Sequence, residues 1–132
     1  MITVFVNGCF DILHRGHIEL FQYARSIGDR VIVAVDSDKK ITKDKGLGRP
    51  VNNLKDRIYF LSRLKDVDEV LYFDTIEELE NLVKKMAPDV MVVGSDWRKK
   101  VVVGGQYAKT IKYFERIDGY STTKIIQDTC NR

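Results

Sequence analysis

A chain of 132 residues is long enough for one ordinary domain with a single core. Its 44% hydrophobic and 31% charged content is that of a soluble globular protein, and no apolar run approaches the length of a membrane span. The net charge of +3 suits a small anionic ligand and is far from the dense basic stripe of a nucleic-acid binder. Met1-Ile2-Thr3 leads straight into a strand, so no signal peptide is expected. Cys9 and Cys130 sit near opposite chain ends with no C-x-x-C spacing. Reduced thiols and a cytoplasmic location are therefore expected, rather than zinc or a disulfide.

The first strand is the β-branched and aromatic run Val4-Phe5-Val6, stopped by the turn signal Asn7-Gly8. Leu20, Phe21, Ala24 and Ile27 then fall on one face of a helix, which Gly28-Asp29 ends. Arg30 to Val35 is a continuous apolar run, as in a parallel strand covered on both sides. Asp36-Ser37-Asp38 closes it, and the lysine-rich stretch from Lys39 to Pro50, with Gly46, Gly48 and Pro50, reads as a basic loop. Asn53 caps a helix carrying Leu54, Ile58, Leu61 and Leu64, and Glu69 to Phe73 is the third strand. Thr75 and Glu78 have capping-box spacing ahead of Ile76, Leu79, Leu82, Val83 and Met86. Pro88-Asp89 stops that helix, Val90 to Val93 is the fourth strand, and Gly94 to Trp97 ends it. Arg98 to Lys109 reads as a loop with a short helix near Gln106–Lys109. Thr110 to Glu115 is a fifth strand, Arg116 to Gly119 a turn, and Ser121-Thr122-Thr123 starts a last helix.

Strands alternating with helices at this spacing predict an α/β fold: a Rossmann-like open parallel five-stranded sheet with helices on both faces, in one domain spanning 1–132. Ligands of such sheets bind outside the carboxyl ends of the strands. Gly8–His17, Asp36–Pro50, Gly94–Trp97 and Arg116–Thr122 each adjoin a predicted strand's carboxyl end, so they are expected to converge on one crevice. His14 and His17 fall at or near the first turn of the first helix, with Gly16 between them. Unpaired backbone N–H groups and a positive dipole end suit an anion there, and imidazole N–H groups can turn towards phosphate oxygens.

Gly8-x-Phe10-Asp11-x-x-His14-x-Gly16-His17 closely resembles the signature of the nucleotidyltransferase superfamily of cytidylyltransferases, adenylyltransferases and class I aminoacyl-tRNA synthetases. Asp118-Gly119-Tyr120-Ser121-Thr122-Thr123-Lys124-Ile125 looks like the second signature of its cytidylyltransferase-like branch. The resemblance covers nearly the whole chain. It implies that His14, His17 and Lys45 hold the nucleotide phosphates through the transition state. It implies nucleotide contacts from Gly8, Cys9, Phe10, Asp11, Gly16, Asp96, Arg116, Ser121 and Thr122, and acceptor contacts from Asp36, Arg57 and Trp97. Magnesium is expected on the pyrophosphate oxygens, arriving with the triphosphate. The expected partners are a nucleoside triphosphate and a phosphorylated sugar or polyol, with no nucleic acid and no membrane. Relatives are commonly dimers, and Tyr59, Phe60 and Tyr72 are surplus apolar residues for a homodimer.

Two relatives within the branch stay open. Ser37-Asp38, Lys45-Gly46-x-Gly48-Arg49-Pro50-Val51-Asn52 and Arg57 look like the adenylyltransferases that make ADP-heptose from heptose 1-phosphate. Gly94-x-Asp96-Trp97 and Arg116 look like glycerol-3-phosphate cytidylyltransferase; the heptose enzymes usually carry a tyrosine where Trp97 stands and no arginine at 116. The longer block favours ATP with a heptose-like sugar 1-phosphate. A non-catalytic nucleotide-binding module of the same fold is the alternative of another class. A dinucleotide-dependent oxidoreductase would want G-x-G-x-x-G after the first strand, and Gly8-Cys9-Phe10-Asp11 is not that.

Overall fold

The computed structural model describes residues 1–115 and 121–130. Five strands, β1 (Thr3–Gly8), β2 (Arg30–Asp36), β3 (Glu69–Phe73), β4 (Val90–Gly94) and β5 (Thr110–Phe114), form one sheet in the order β3-β2-β1-β4-β5. Every pairing is parallel. The helices are α1 (Arg15–Ile27), α2 (Asp38–Lys45), α3 (Leu54–Ser62), α4 (Ile76–Met86) and α5 (Thr122–Cys130).

The central strands are apolar throughout because both faces are covered. Val4, Val6, Val31, Val33, Val35 and Val92 point to one side, where Phe21 and Ala24 of α1 and Leu61 of α3 complete a core. Phe5, Ile32, Ala34, Phe73 and Met91 point to the other, against Leu79 and Val83 of α4. The odd–even alternation within continuous apolar runs sends successive side chains to opposite layers. Tyr59, Phe60 and Tyr72 stay exposed around α3 and the edge strand β3. Among the described residues no helix is long and apolar enough to cross a membrane.

Several local expectations hold for the expected reason. The Asn53 side chain accepts from the Asp56 N–H at 2.9 Å, and Thr75 accepts from the Glu78 N–H at 3.1 Å. Glu78 reaches one residue further back than a capping box requires and accepts from the Asp74 N–H. β1 continues through Asn7-Gly8 rather than turning there. Gly28 is extended, not left-handed; what demands glycine is space, since a Cβ there would lie 2.3 Å from Val4 Cγ2. The short helix expected near Gln106–Lys109 is a single 3-10 turn, Gly105–Tyr107.

The main correction concerns the lysine-rich segment, whose first half is helix α2 rather than loop. Ser37 caps it, accepting from the Lys40 N–H, and Ile41 anchors it in the core. Lys40 pairs with Asp36 and Asp44, one helical turn away on either side. One buried apolar residue in eight gives too little periodicity to reveal such a helix from sequence.

β2 and β3 are tied by Asp68, whose carboxylate accepts from the Val31 N–H at 2.8 Å and from Arg25 Nη2 at 2.6 Å. Burial pushes this carboxyl up, but those two donors outweigh it and hold it below the usual carboxylate range. A depressed pKa contributes stability above the unfolded-state value that is lost as pH falls through the folded value. The melting temperature is therefore expected to fall as the pH drops below about 4. Asp68→Asn should melt lower at neutral pH with a flatter acid dependence, which thermal melts across a pH series will check.

Candidate functional site

The carboxyl ends of all five strands, at Phe73, Asp36, Gly8, Gly94 and Phe114, open into one cleft of about 470 Å³. His14, His17, Lys45, Trp97 and Ser121 line it too. The expected convergence therefore occurs for the described parts of all four segments. It lies where the chain order reverses across the β1–β4 boundary.

The histidine loop is built by its own backbone. Phe10 takes a left-handed conformation at φ 49°, costing about 1–2 kcal/mol. That turn folds its ring back over Gly8, where a Cβ would sit 3.1 Å from the ring, and packs it 5.1 Å from the His17 ring. His14 is the N-cap of α1, and its Nδ1 accepts from the Gly16 N–H at 3.0 Å. His17 returns the favour: its Nδ1 accepts from the His14 N–H at 3.3 Å. The two rings stack with centroids 3.8 Å apart. An Nδ1 that accepts carries no proton, so in each neutral ring the proton sits on Nε2. The cap thus selects the tautomer that donates from Nε2.

Two residues expected at the ligand are buried away from the cleft, bonded to the surrounding chain. Arg57 is buried at 1% exposure and does not line the cleft. Its Nη1 donates to the carbonyls of Cys9 and Asp36 at 2.9 and 2.7 Å, its Nε to the Asn52 carbonyl at 3.0 Å, and its Nη2 to Asp38 at 2.8 Å. Asp11, also 1% exposed, accepts from the N–H groups of Val51 and Asn52, each at 2.8 Å, and from Arg49 Nε at 3.4 Å. Neither lines the cleft. They position the loop that does face the cleft, a role with no sequence pattern of its own.

Gly8, Cys9, Phe10, Gly16, Asp36, Asp96 and Trp97 line the cleft. Burial, with the Asp36 carboxylate next in effect, pushes the Cys9 thiol up, so it stays protonated. Lys45, the last residue of α2, reaches the cleft from its mouth. Ser121 lines the opposite side and accepts from the Lys124 N–H at 3.0 Å, capping α5, which Thr122 opens. Arg116 lies outside the described residues, as do 117–120 of the second signature. Among the described residues, no three His, Cys, Asp or Glu side chains group as a metal site. Sequence reasoning missed Lys40, which lines the cleft between Asp36 and Asp44; its i, i+4 spacing to both was the available signal.

Residues 5–128 match the cytidylyltransferase-like family. The chain belongs to that family of nucleotidyltransferases. It is 47% identical over 125 residues to Bifunctional protein HldE of Sulfurimonas denitrificans, covering 95% of this chain and 26% of that protein. It is 46% identical over 123 residues to Bifunctional protein HldE of Campylobacter fetus, covering 93% of this chain and 27% of that protein. The chain thus spans about a quarter of the length of the curated relatives it matches. Among solved structures, a lipopolysaccharide core biosynthesis protein from Thermoplasma volcanium superposes with a TM-score of 0.67 at 26% identity, over 92% of this chain and 99% of that one. A bifunctional NMN adenylyltransferase/ADP ribose pyrophosphatase from Francisella tularensis shares the fold, with a TM-score of 0.71 at 16% identity over 99% of this chain and 43% of that one.

Removing the Arg57 side chain should be costly, since it leaves three carbonyls without a donor. At about 1 kcal/mol or more each, Arg57→Ala is expected to lose about 3 kcal/mol. Arg57→Lys should recover little of it, because a single ammonium cannot reproduce the fork. Urea denaturation of both variants measures this.

Proposed function

We propose that this domain transfers a nucleoside monophosphate from a nucleoside triphosphate to a phosphorylated sugar, with ATP and a heptose-like sugar 1-phosphate as the preferred pair. The observation that carries the reading is the pair of stacked, reciprocally capped histidines in the cleft, whose cap leaves the ring proton on Nε2. Phosphoryl transfer of this kind asks a protein mainly to position two polyanions and offset their charge. The acceptor is already a phosphate monoester, so its oxygen is an anionic nucleophile and needs no general base. It attacks the α-phosphorus in line; the bond to the bridging oxygen breaks and pyrophosphate leaves with that electron pair. His14 and His17 donate to phosphate oxygens, Lys45 adds charge from α2, and the N-terminus of α5 faces them. Magnesium enters as part of the triphosphate substrate.

The choice of ATP and a heptose-like acceptor is supported by the Lys45-to-Arg57 block, by identity of up to 47% to HldE proteins, and by likeness to a lipopolysaccharide core biosynthesis protein. Trp97 at the cleft favours the second reading, cytidylyl transfer to glycerol 3-phosphate. A base-edge mismatch costs about 1–3 kcal/mol, so one triphosphate should win by roughly ten- to hundredfold. Pyrophosphate release is to be measured for ATP and CTP against heptose 1-phosphate and glycerol 3-phosphate. The fastest release is expected with ATP and heptose 1-phosphate. A clear CTP preference moves the assignment to the cytidylyl reaction, and silence with every pair supports a binding module.

The histidines can be separated from their cap. His14→Ala loses both a transition-state donor, worth about 3–4 kcal/mol, and an N-cap, worth about 1 kcal/mol. His14→Asn keeps a cap acceptor and loses only the donor. Both are expected to lower turnover at least about a hundredfold, while only the alanine variant loses appreciable stability. Turnover close to the parent in both would remove the catalytic role.

A further inference from the structure

Helix α2 carries one charge that its own energetics disfavour. Asp44 lies in the last turn, between Lys43 and Lys45. A carboxylate there opposes the helix dipole, whereas those lysines complement it. Its ion pair is with Lys40, four residues earlier, at 2.7 Å. A helix gains less from a base preceding an acid at that spacing than from the reverse order. The Asp44 side chain is also 49% exposed, and an ion pair in water contributes little. Nothing in the helix itself calls for an acid at this position. Local rules broken without a local gain are characteristic of functional sites.

Lys40 is the group that Asp44 acts on. Lys40 lines the cleft, as does Lys45, while Asp44 does not. The Lys40 ammonium holds two carboxylates, Asp36 at 3.0 Å and Asp44. The Asp36 contact is fixed, because that residue is buried and Arg57 bonds its carbonyl. Asp44 has no such restraint; among the described residues, Lys40 is the one side chain that bonds it. Burial pulls the Lys40 ammonium down, but the two carboxylates outweigh it and keep it charged. The hydrogen bond from Lys40 holds the Asp44 carboxyl below its usual range, with Lys43 and Lys45 adding to it, so Asp44 is an anion at neutral pH. Two of the three ammonium donors are thus taken by carboxylates, and the charge Lys40 offers the cleft is offset.

We propose that Asp44 is a counter-ion latch, which holds Lys40 until a substrate phosphate displaces it. This rests on the reading of the cleft as a site for phosphorylated substrates. The exchange selects for charge. A carboxylate from solution would replace one monoanion by another, and Asp44 has the advantage of its tether. A phosphate group brings about two negative charges and several acceptor oxygens, so it displaces the latch. Lys40 keeps Asp36, takes the phosphate, and joins Lys45 as a second phosphate-binding lysine of α2. Asp44 turns out to solvent.

The test is calorimetric titration of ATP, inorganic phosphate and adenosine into the full chain, as the parent, Asp44→Asn, Lys40→Gln and the double variant. Asp44→Asn keeps the size and removes the charge, so ATP should bind about two- to fivefold tighter, the range of an exposed ion pair. Lys40→Gln should weaken ATP, and most of the gain from Asp44→Asn should disappear in that background, as for two residues acting through one contact. Adenosine has no phosphate and should bind all four proteins alike. The melting temperature of Asp44→Asn should equal or exceed the parent's, since the helix loses an unfavourable anion. Tightening of ATP alone assigns the triphosphate to Lys40; parallel tightening of inorganic phosphate extends the latch to single phosphates. The proposal is overturned if Asp44→Asn tightens neither, if it tightens ATP equally with and without Lys40, if adenosine tightens as much, or if the melting temperature falls. This binding pattern without pyrophosphate release from any substrate pair would sink the proposed reaction and leave the latch standing. Pyrophosphate release with no change of affinity in Asp44→Asn would do the reverse.

Discussion

One guanidinium with almost no access to water holds the functional end of this molecule in shape. Arg57 projects from α3 beneath the cleft and donates to the carbonyls of Cys9, Asp36 and Asn52 and to the Asp38 carboxylate. These acceptors belong to the histidine loop, the end of β2, the approach to α3 and the first turn of α2. Burying a cation costs several kcal/mol unless its donors are satisfied. Arg57 therefore stabilises the fold only when all four partners stand in their native places, and a shift in any one is resisted by the others. Asp11 does the complementary work from the loop side, collecting the Val51 and Asn52 N–H groups and Arg49. A buried cation and a buried anion, each bonded mostly to backbone, clamp one loop from two directions.

Upon that clamp the histidines serve helix and cleft together. An N-cap is ordinarily Ser, Thr, Asp or Asn, residues with a short side-chain acceptor. Here imidazole Nδ1 atoms take that role at both His14 and position N3, His17. Terminating the helix consumes the Nδ1 lone pairs and leaves each Nε2 with its proton. The geometry that ends α1 is therefore the geometry that orients two donors, with no further element required.

The remaining charges divide the cleft. Lys40 and Lys45 of α2 line it together with Asp36, and the start of α5 stands on the far side.

The sequence by itself determined the sheet, its parallel sense and the strand ends that meet at the cleft. Continuous apolar runs between amphipathic helices leave few other ways to bury both faces, and His14, His17 and Ser121 sit at helix starts that local spacing reveals. Helix α2 escaped because its stability comes from Ser37, Ile41 and two ion pairs of Lys40 rather than from periodicity. The roles of Asp11 and Arg57 could not be read at all from the chain. Most of their partners are backbone groups, as many as 48 residues distant, and a carbonyl carries no residue identity. Only the tertiary structure decides whether a charged side chain beside a signature faces the ligand or holds the loop that does, because that depends on which side of the chain is buried.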